Sequence, residues 1–357
     1  MNYSNLFDLA RDLYGYLSYT KSGKAVMPLR YVLELTYKCN LQCPYCYVGD
    51  SRTKDEMNKE EWFKIIEQIP FFGFITLLGG EPLINKNFIE IFEKSSKQVM
   101  GKVNVISNGV LLTDEVINSF IKNNLLLLSV SLDGYGETHN RNRCKADIFD
   151  KIITNLDNLQ SRKAKKLPMI DVKTIVLENN LDDIPKLYRL SSDMGFKFFS
   201  VGFKRNNHLK QNSCLRETFG EEFYAVEYPL EPYFDMEHFK EVYKELESIA
   251  KTSKTTLRWA PKFKSTGVID SIEQYFNFTN KDVNEIYKPC LHPFSNLYIT
   301  PEGNLYPCLS YKTGNVRNSK IKDVINAPDF RCFRKNLRAS KLFNSCQLCC
   351  EAVPKNQ

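Results

Sequence analysis

Short apolar runs alternate with amphipathic segments through the first 205 residues. The runs at 30–36, 74–78, 103–107, 126–132, 170–176 and 197–203 are rich in Val, Ile, Leu and Phe and predict strands. Between them, the segments 59–68, 87–98, 114–122, 148–160 and 181–194 place apolar residues three and four apart among charges, which predicts helices. Six successive βα units imply a parallel sheet covered by helices. The run LLLLSVSL lacks polar alternation, as expected of a strand with both faces buried. Periodicity alone allows either an open doubly wound sheet or a partial barrel.

After Phe203 this rhythm stops. Residues 204–233 are polar and aromatic with no clear element, 236–252 read as a helix, and 253–288 read as irregular. A smaller unit begins near Pro289, with YITPEGNLYPC predicting a hairpin around Glu302-Gly303-Asn304. The expected organisation is an N-terminal helical segment at 1–28, a βα domain at 29–205, a bridging region at 206–288 and a cysteine-rich domain at 289–357. No internal repeat or low-complexity tract is found.

With 43% hydrophobic and 25% charged residues, the chain has the make-up of a globular protein, which excludes a disordered or fibrous one. No apolar stretch approaches the roughly 20 residues of a membrane span. The N-terminus lacks the basic start and apolar middle of a secretory signal, so a cytoplasmic location is expected. The net charge of +7 is dispersed, favours an anionic ligand only mildly, and comes with no nucleic-acid-binding signature. Eleven cysteines in a chain expected in a reducing compartment point to metal ligation or catalysis rather than disulfides.

The first expected strand runs into Cys39-Asn40-Leu41-Gln42-Cys43-Pro44-Tyr45-Cys46. Ligating residues thus sit at the carboxyl end of a strand, where α/β folds place their chemistry. Three thiolates fall short of the four ligands of structural zinc, whereas a 4Fe-4S cube on three thiolates keeps one iron open for a ligand. Zinc completed by Cys144, a redox pair at Cys43 and Cys46, and inert buried thiols are the competing readings. Gly79-Gly80 after the second strand allow close approach of a ligand to the backbone, and Glu81 can accept charge-assisted bonds from an ammonium group. Arg141 or Arg143 offers a fork for a carboxylate, and Tyr45 a surface for an adenine ring.

These residues carry a resemblance. CNLQCPYC is similar to the C-x-x-x-C-x-aromatic-C signature of the radical S-adenosylmethionine (SAM) superfamily. Gly79-Gly80-Glu81-Pro82 resembles the family's GGE motif, which receives the methionine amino group. Ser107-Asn108-Gly109 resembles its (T/S)NG, which approaches the ribose. The run from Ser129 through Ser131-Leu132-Asp133-Gly134 to Glu137-Thr138-His139-Asn140-Arg141-Asn142-Arg143 resembles the SLDG…ETHxxxR run of the branch with C-terminal auxiliary clusters. There a serine of the fourth strand and a downstream Arg bind the cofactor's ribose and carboxylate. Asn180 stands where that branch has its V-x-x-x-N segment. The resemblance covers about residues 30–205 and implies a partial (β/α)6 TIM-like barrel.

The distal cysteines begin Cys290-x12-Gly303-x4-Cys308 and end Cys346-x2-Cys349-Cys350. The first half resembles the opening of a SPASM domain, and 313–325 is similar to that domain's following stretch. Because Gln357 lies seven residues after Cys350, the reduced twitch arrangement is expected, with one auxiliary 4Fe-4S cluster on Cys290, Cys308, Cys346 and Cys349. Cys350 is the competing fourth ligand and Cys332 a weaker one. Zinc on the same sulfurs is the alternative.

The resemblance implies that a low-potential donor of flavodoxin or ferredoxin type supplies an electron. SAM is then cleaved to a 5′-deoxyadenosyl radical that takes hydrogen from a substrate carbon. Oxidation or epimerisation of a small molecule or sugar is the leading expectation, because 38 residues before Cys39 are too few for a leader-peptide recognition domain. Ribosomal peptide maturation is the alternative, and a zinc-binding interaction protein or an electron carrier the readings of other classes. Cys144 and Cys214 are candidate hydrogen donors for epimerisation.

Overall fold

The computed structural model describes residues 13–15, 17, 19, 21–46, 48, 55–204, 232–261, 269, 272–273, 283–308, 312–343, 346, 349 and 351–355. Ten strands form one sheet: β1 (Arg30–Glu34), β2 (Phe74–Leu78), β3 (Val103–Ser107), β4 (Leu127–Ser131), β5 (Met169–Val176), β6 (Phe198–Phe203), β7 (Thr256–Ala260), β8 (Asn296–Ile299), β9 (Asn304–Tyr306) and β10 (Gly314–Asn315). Their spatial order is β10-β9-β8-β1-β2-β3-β4-β5-β6-β7. Every pair from β8 through β1 to β7 is parallel, and β8-β9-β10 is antiparallel.

Helices follow the strands as the pattern predicts, and three of them begin at a side-chain cap. Asn58 and Glu61 form a reciprocal capping box on Lys59–Ile66, Thr113 accepts from Val116 N on Asp114–Lys122, and Asp235 caps Met236–Thr252. One face of the sheet is apolar: Leu77, Val105, Leu128, Val130, Val172 and Val201 pack with helix residues such as Trp62, Phe92, Phe120, Ile152 and Tyr188. Fully burying each such side chain contributes roughly 1.5–3 kcal/mol. The opposite, inner face carries Ser129, Ser131, Asp171, Lys173, Ser200 and Arg258, since successive residues of a strand alternate sides.

One reading of the sequence needs correction. The segment 253–288 is not irregular throughout, because Thr256–Ala260 pairs with β6 in parallel. This strand is a partly exposed edge with a charged residue at its centre, which is a weak pattern in sequence. The first strand of the cysteine-rich unit, β8, extends the sheet beside β1, with Arg30 opposite Asn296. The expected hairpin is present, with Ile299 opposite Leu305 around Gly303. No helix among the described residues is long and apolar enough to cross a membrane.

Candidate functional site

The loop after β1 is held by backbone. Gly80 N donates to Thr36 O (2.8 Å), and Glu81 N to Lys38 O (2.9 Å). A Cβ at residue 79 would stand 2.3 Å from Thr36 O, and one at residue 80 would stand 2.5 Å from Lys38 O. The paired glycines therefore admit the chain's own cysteine loop, a close approach that any larger residue would block. Glu56 clamps the same loop from another side, accepting from Thr36 Oγ1 and Tyr37 N at 2.9 Å each. Cys39 and Cys43 are partly buried in it and Cys46 is exposed. Burial pushes the Cys39 and Cys43 thiols up, each raised further by the nearby Cys46, while Arg143 opposes the shift.

Glu81 is fully buried between β2 and β3. Its carboxylate accepts from Ser107 Oγ (2.9 Å), Asn108 N (2.7 Å) and Leu83 N (3.2 Å). Burial raises its pKa to about 7 against the lowering effect of those bonds. The Asn108 amide reaches Asn40 Oδ1 (2.8 Å) and comes within 3.9 Å of Cys39 Sγ, so the end of β3 touches the cysteine loop.

The end of β4 touches it as well. Asp133 is buried; its Oδ2 accepts from Tyr45 OH (2.7 Å) and from Arg143, and its Oδ1 from Ile175 N (2.8 Å). Arg143 also donates to Cys43 Sγ (3.6 Å) and lies against the Tyr45 ring, while its Nε is buried without a hydrogen-bond partner. Arg141 is exposed, so of the two candidate arginines the structure brings Arg143 to the loop. His139 accepts from Asp133 N through Nδ1 (3.1 Å), and burial lowers its pKa to about 4, with Arg143 adding to the effect. Glu56 and His139 are site residues that the sequence reading left without a role. His139 stands inside the motif run, but nothing in the sequence marks Glu56.

The other candidates scatter. Ser129 donates to Asn104 Oδ1 (3.3 Å), and Ser131 lies partly exposed on the inner face. Asn180 is buried, with its amide bonded to Leu177 N and Ile175 O at 2.8 Å each, so it shapes the loop after β5. Cys144 is exposed and turned toward Arg141 O. Cys214 lies outside the described residues.

The distal sulfurs gather at the other end of the chain. Cys290, Cys308 and Cys346 pack against Phe294, Phe333, Leu337 and Phe343, while Cys349 shares a second apolar cluster with Cys290 and Cys346. Burial raises the Cys346 thiol well above its ordinary value, and Cys290 and Cys308 add to the shift. A cavity lined by Cys290, His292, Leu342, Glu351 and Ala352 opens beside them. Cys332 is exposed on the helix Pro328–Ser340, and Cys350 lies outside the described residues. Among the described residues no three Cys, His, Asp or Glu side chains have the arrangement that holds a metal ion. The donor sets nevertheless fit iron-sulfur chemistry: three soft thiols on one loop, and four in an apolar setting beside a cavity.

Residues 33–191 match the family described as the radical SAM superfamily, and residues 290–350 match the SPASM iron-sulfur cluster-binding domain. The chain is a radical SAM protein with a C-terminal SPASM domain. These domains imply a 4Fe-4S cluster, SAM binding and auxiliary clusters. Among relatives, it is 28% identical to the sporulation killing factor maturation protein SkfB of Bacillus subtilis over 49% of this chain and 42% of that protein. It is 29% identical to the PqqA peptide cyclase of Bradyrhizobium diazoefficiens over 47% of this chain and 44% of that one. It is 25% identical to the AdoMet-dependent heme synthase of Methanosarcina barkeri over 88% and 86%. Matches to SkfB and the peptide cyclase thus span less than half of those proteins. In fold, this radical SAM protein resembles Streptococcus suis SuiB bound to precursor peptide SuiA (TM-score 0.64, 14% identity, 94% of this chain and 72% of that one).

Proposed function

We propose that this radical SAM protein abstracts hydrogen from a carbon of a peptide substrate. The observation that carries the chemistry is the convergence on one cysteine loop of Glu81–Asn108 from β2 and β3 and of Asp133–Arg143 from β4. The 28% and 29% identities to a maturation protein and a peptide cyclase support a peptide over a small molecule or sugar, which reverses the expectation from the length of the N-terminus. A cluster on Cys39, Cys43 and Cys46, fed by a low-potential donor of flavodoxin or ferredoxin type, would supply SAM cleavage and a 5′-deoxyadenosyl radical.

The chain's own residues position and shield. Asn108 and Ser131 would border the cofactor, Tyr45 would offer its ring, and Arg143 rather than Arg141 would be the cation near a carboxylate, through the Nε that its pairing with Asp133 leaves without a partner. Glu81 ties β2 to β3 through its bonds to Ser107 and Asn108, and the backbone around Gly79-Gly80 sets where the amino group is received. One auxiliary cluster on Cys290, Cys308, Cys346 and Cys349 is proposed to accept or pass the substrate electron. The heme synthase relative, aligned over most of both chains, favours a small-molecule substrate as the second reading.

The test uses reconstituted protein with SAM, dithionite and fractions of a perdeuterated cell extract. Deuterium entering 5′-deoxyadenosine from the peptide fraction, and lost after protease treatment of that fraction, is the expected result. Transfer only from the small-molecule fraction overturns the peptide reading.

A further inference from the structure

The stretch 55–61 leads into the helix Lys59–Ile66 and is held from two sides. On one side, Glu56 accepts from Thr36 Oγ1 and Tyr37 N at 2.9 Å each, just ahead of Cys39. On the other side lies the C-terminal hairpin of β8 and β9 with β10 beside it. Met57 N donates to Pro301 O (2.7 Å) at the hairpin's turn. Arg317, two residues past β10, donates through Nε to Glu61 Oε1 (3.0 Å) and through Nη1 to Asp55. One guanidinium thus grips the stretch on both sides of Glu56.

Arg317 and its partner are themselves fixed. The Arg317 backbone N donates to Asn315 Oδ1 (2.9 Å), and the Asn315 amide donates to Glu302 O and Asn304 Oδ1 at 2.9 Å each. Glu61 Oε2 accepts from Asn58 N (2.8 Å) in the capping box. The Arg317 side chain is 19% exposed and that of Glu61 28%, so the pair is partly shielded from the solvent that weakens surface ion pairs.

The tip of the hairpin is the independent observation. Gly303 has φ +81°, and a Cβ there would stand 3.0 Å from Arg317 Cγ and 3.2 Å from Met57 Sδ. The turn therefore fits closely against both residues. Glu302 beside it accepts from Tyr37 OH (3.1 Å), so the hairpin also touches the cysteine loop directly. Tyr37 is held at its backbone by Glu56 and at its hydroxyl by Glu302.

We infer that Arg317 is a positioning residue for the SAM site: through Asp55 and Glu61 it sets Glu56, and through Glu56 the loop that carries Cys39, Cys43 and Cys46. The SPASM domain thereby acts on SAM binding through side chains, apart from any cluster it carries. This rests on those three cysteines holding the cluster that binds SAM, and it is independent of the substrate class.

The test uses the full chain, anaerobically reconstituted and reduced with dithionite. SAM affinity is read by equilibrium dialysis, together with the change that SAM makes in the electron paramagnetic resonance spectrum. Arg317→Met is expected to bind SAM about fivefold or more weakly, the scale of one hydrogen bond, with iron per chain as in the wild type and an altered SAM-dependent spectrum. Arg317→Lys keeps the cation, loses the fork, and is expected to fall between the two. Asp55→Asn with Glu61→Gln keeps the arginine and uncharges both partners, and is expected to weaken SAM binding as well. Glu56→Gln is expected to do the same, and its combination with Arg317→Met to bind no more weakly than the weaker single variant, because both act through one contact. Arg162→Met, which breaks an exposed pair with Asp114, is the control and is expected to bind SAM as the wild type does. Wild-type affinity with full iron in Arg317→Met, or in Asp55→Asn with Glu61→Gln, overturns the inference. Additive losses in the combination with Glu56→Gln overturn the route through Glu56, and an equal loss in Arg162→Met overturns a specific role for Arg317. Wild-type protein that carries full iron and binds no SAM overturns the SAM-site reading beneath it, so the two failures are distinguishable.

Discussion

Tyr45 and Asp133 are 88 positions apart in the chain, yet the tyrosine hydroxyl donates to the carboxylate at 2.7 Å. That bond crosses from the cysteine loop after β1 to the end of β4, and Arg143 joins both partners to Cys43. The loop is thereby fixed from the sheet rather than by its own short turn. Asp133→Asn leaves the Arg143 guanidinium buried without its charge partner and is expected to cost about 3 kcal/mol, by analogy with broken buried pairs. Tyr45→Phe removes one hydrogen bond and is expected to cost about 1 kcal/mol. Urea unfolding of the metal-free protein checks both, and equal midpoints for the two variants would contradict the ranking.

Glu81 and His139 make opposite contributions to stability with pH. Glu81, raised to about 7, folds more readily protonated, so its contribution falls as pH rises from about 4.5 to about 7. His139, lowered to about 4, folds neutral, so its contribution is lost as pH falls from about 6.5 to about 4. Each swing is on the order of 3 kcal/mol, and the two nearly cancel across the shared window. His139→Gln is expected to expose the Glu81 slope, with stability falling as pH rises. Glu81→Gln is expected to expose the opposite slope. Thermal melting of the metal-free variants between pH 4 and pH 7 reads the sign directly.

Two glycines of the site are expected to respond differently to a methyl group. Gly80→Ala places Cβ against Lys38 O and Tyr37 O and should displace the cysteine loop. Iron bound after reconstitution should then fall by about four per chain. Gly202→Ala meets only ordinary contacts and should bind iron as the wild type does.

Among the distal cysteines, Cys346→Ser removes a partly buried sulfur close to Cys290 and Cys308 and should also cost about four iron per chain, leaving the first cluster in place. Cys332→Ser, on an exposed helix face, should cost none.

Much of this is legible in the sequence. The parallel strands from β1 to β6 follow from apolar runs separated by amphipathic helices, and the motif residues stand at strand ends because function in such folds collects there. The choice between Arg141 and Arg143 was not legible. Two residues along a helix differ by about 200° in direction, so both carry the same sequence signal and only the helix's placement turns one inward. The role of Gly79-Gly80 was half legible: their need for space follows from the residue type, but the neighbour that fills it is the chain's own Thr36 to Lys38 backbone. β7 escaped because its alternation, Leu257 and Trp259 between polar residues, runs for only five residues. The pairing of Arg30 with Asn296 joins the two ends of the chain, and local sequence carries no record of it.

The most direct test of the account is 5′-deoxyadenosine formed from SAM and dithionite by the anaerobically reconstituted protein, compared with a Cys39→Ala, Cys43→Ala, Cys46→Ala variant. Formation by the wild type and none by the variant is the predicted result. No 5′-deoxyadenosine from wild-type protein carrying its full iron would contradict it.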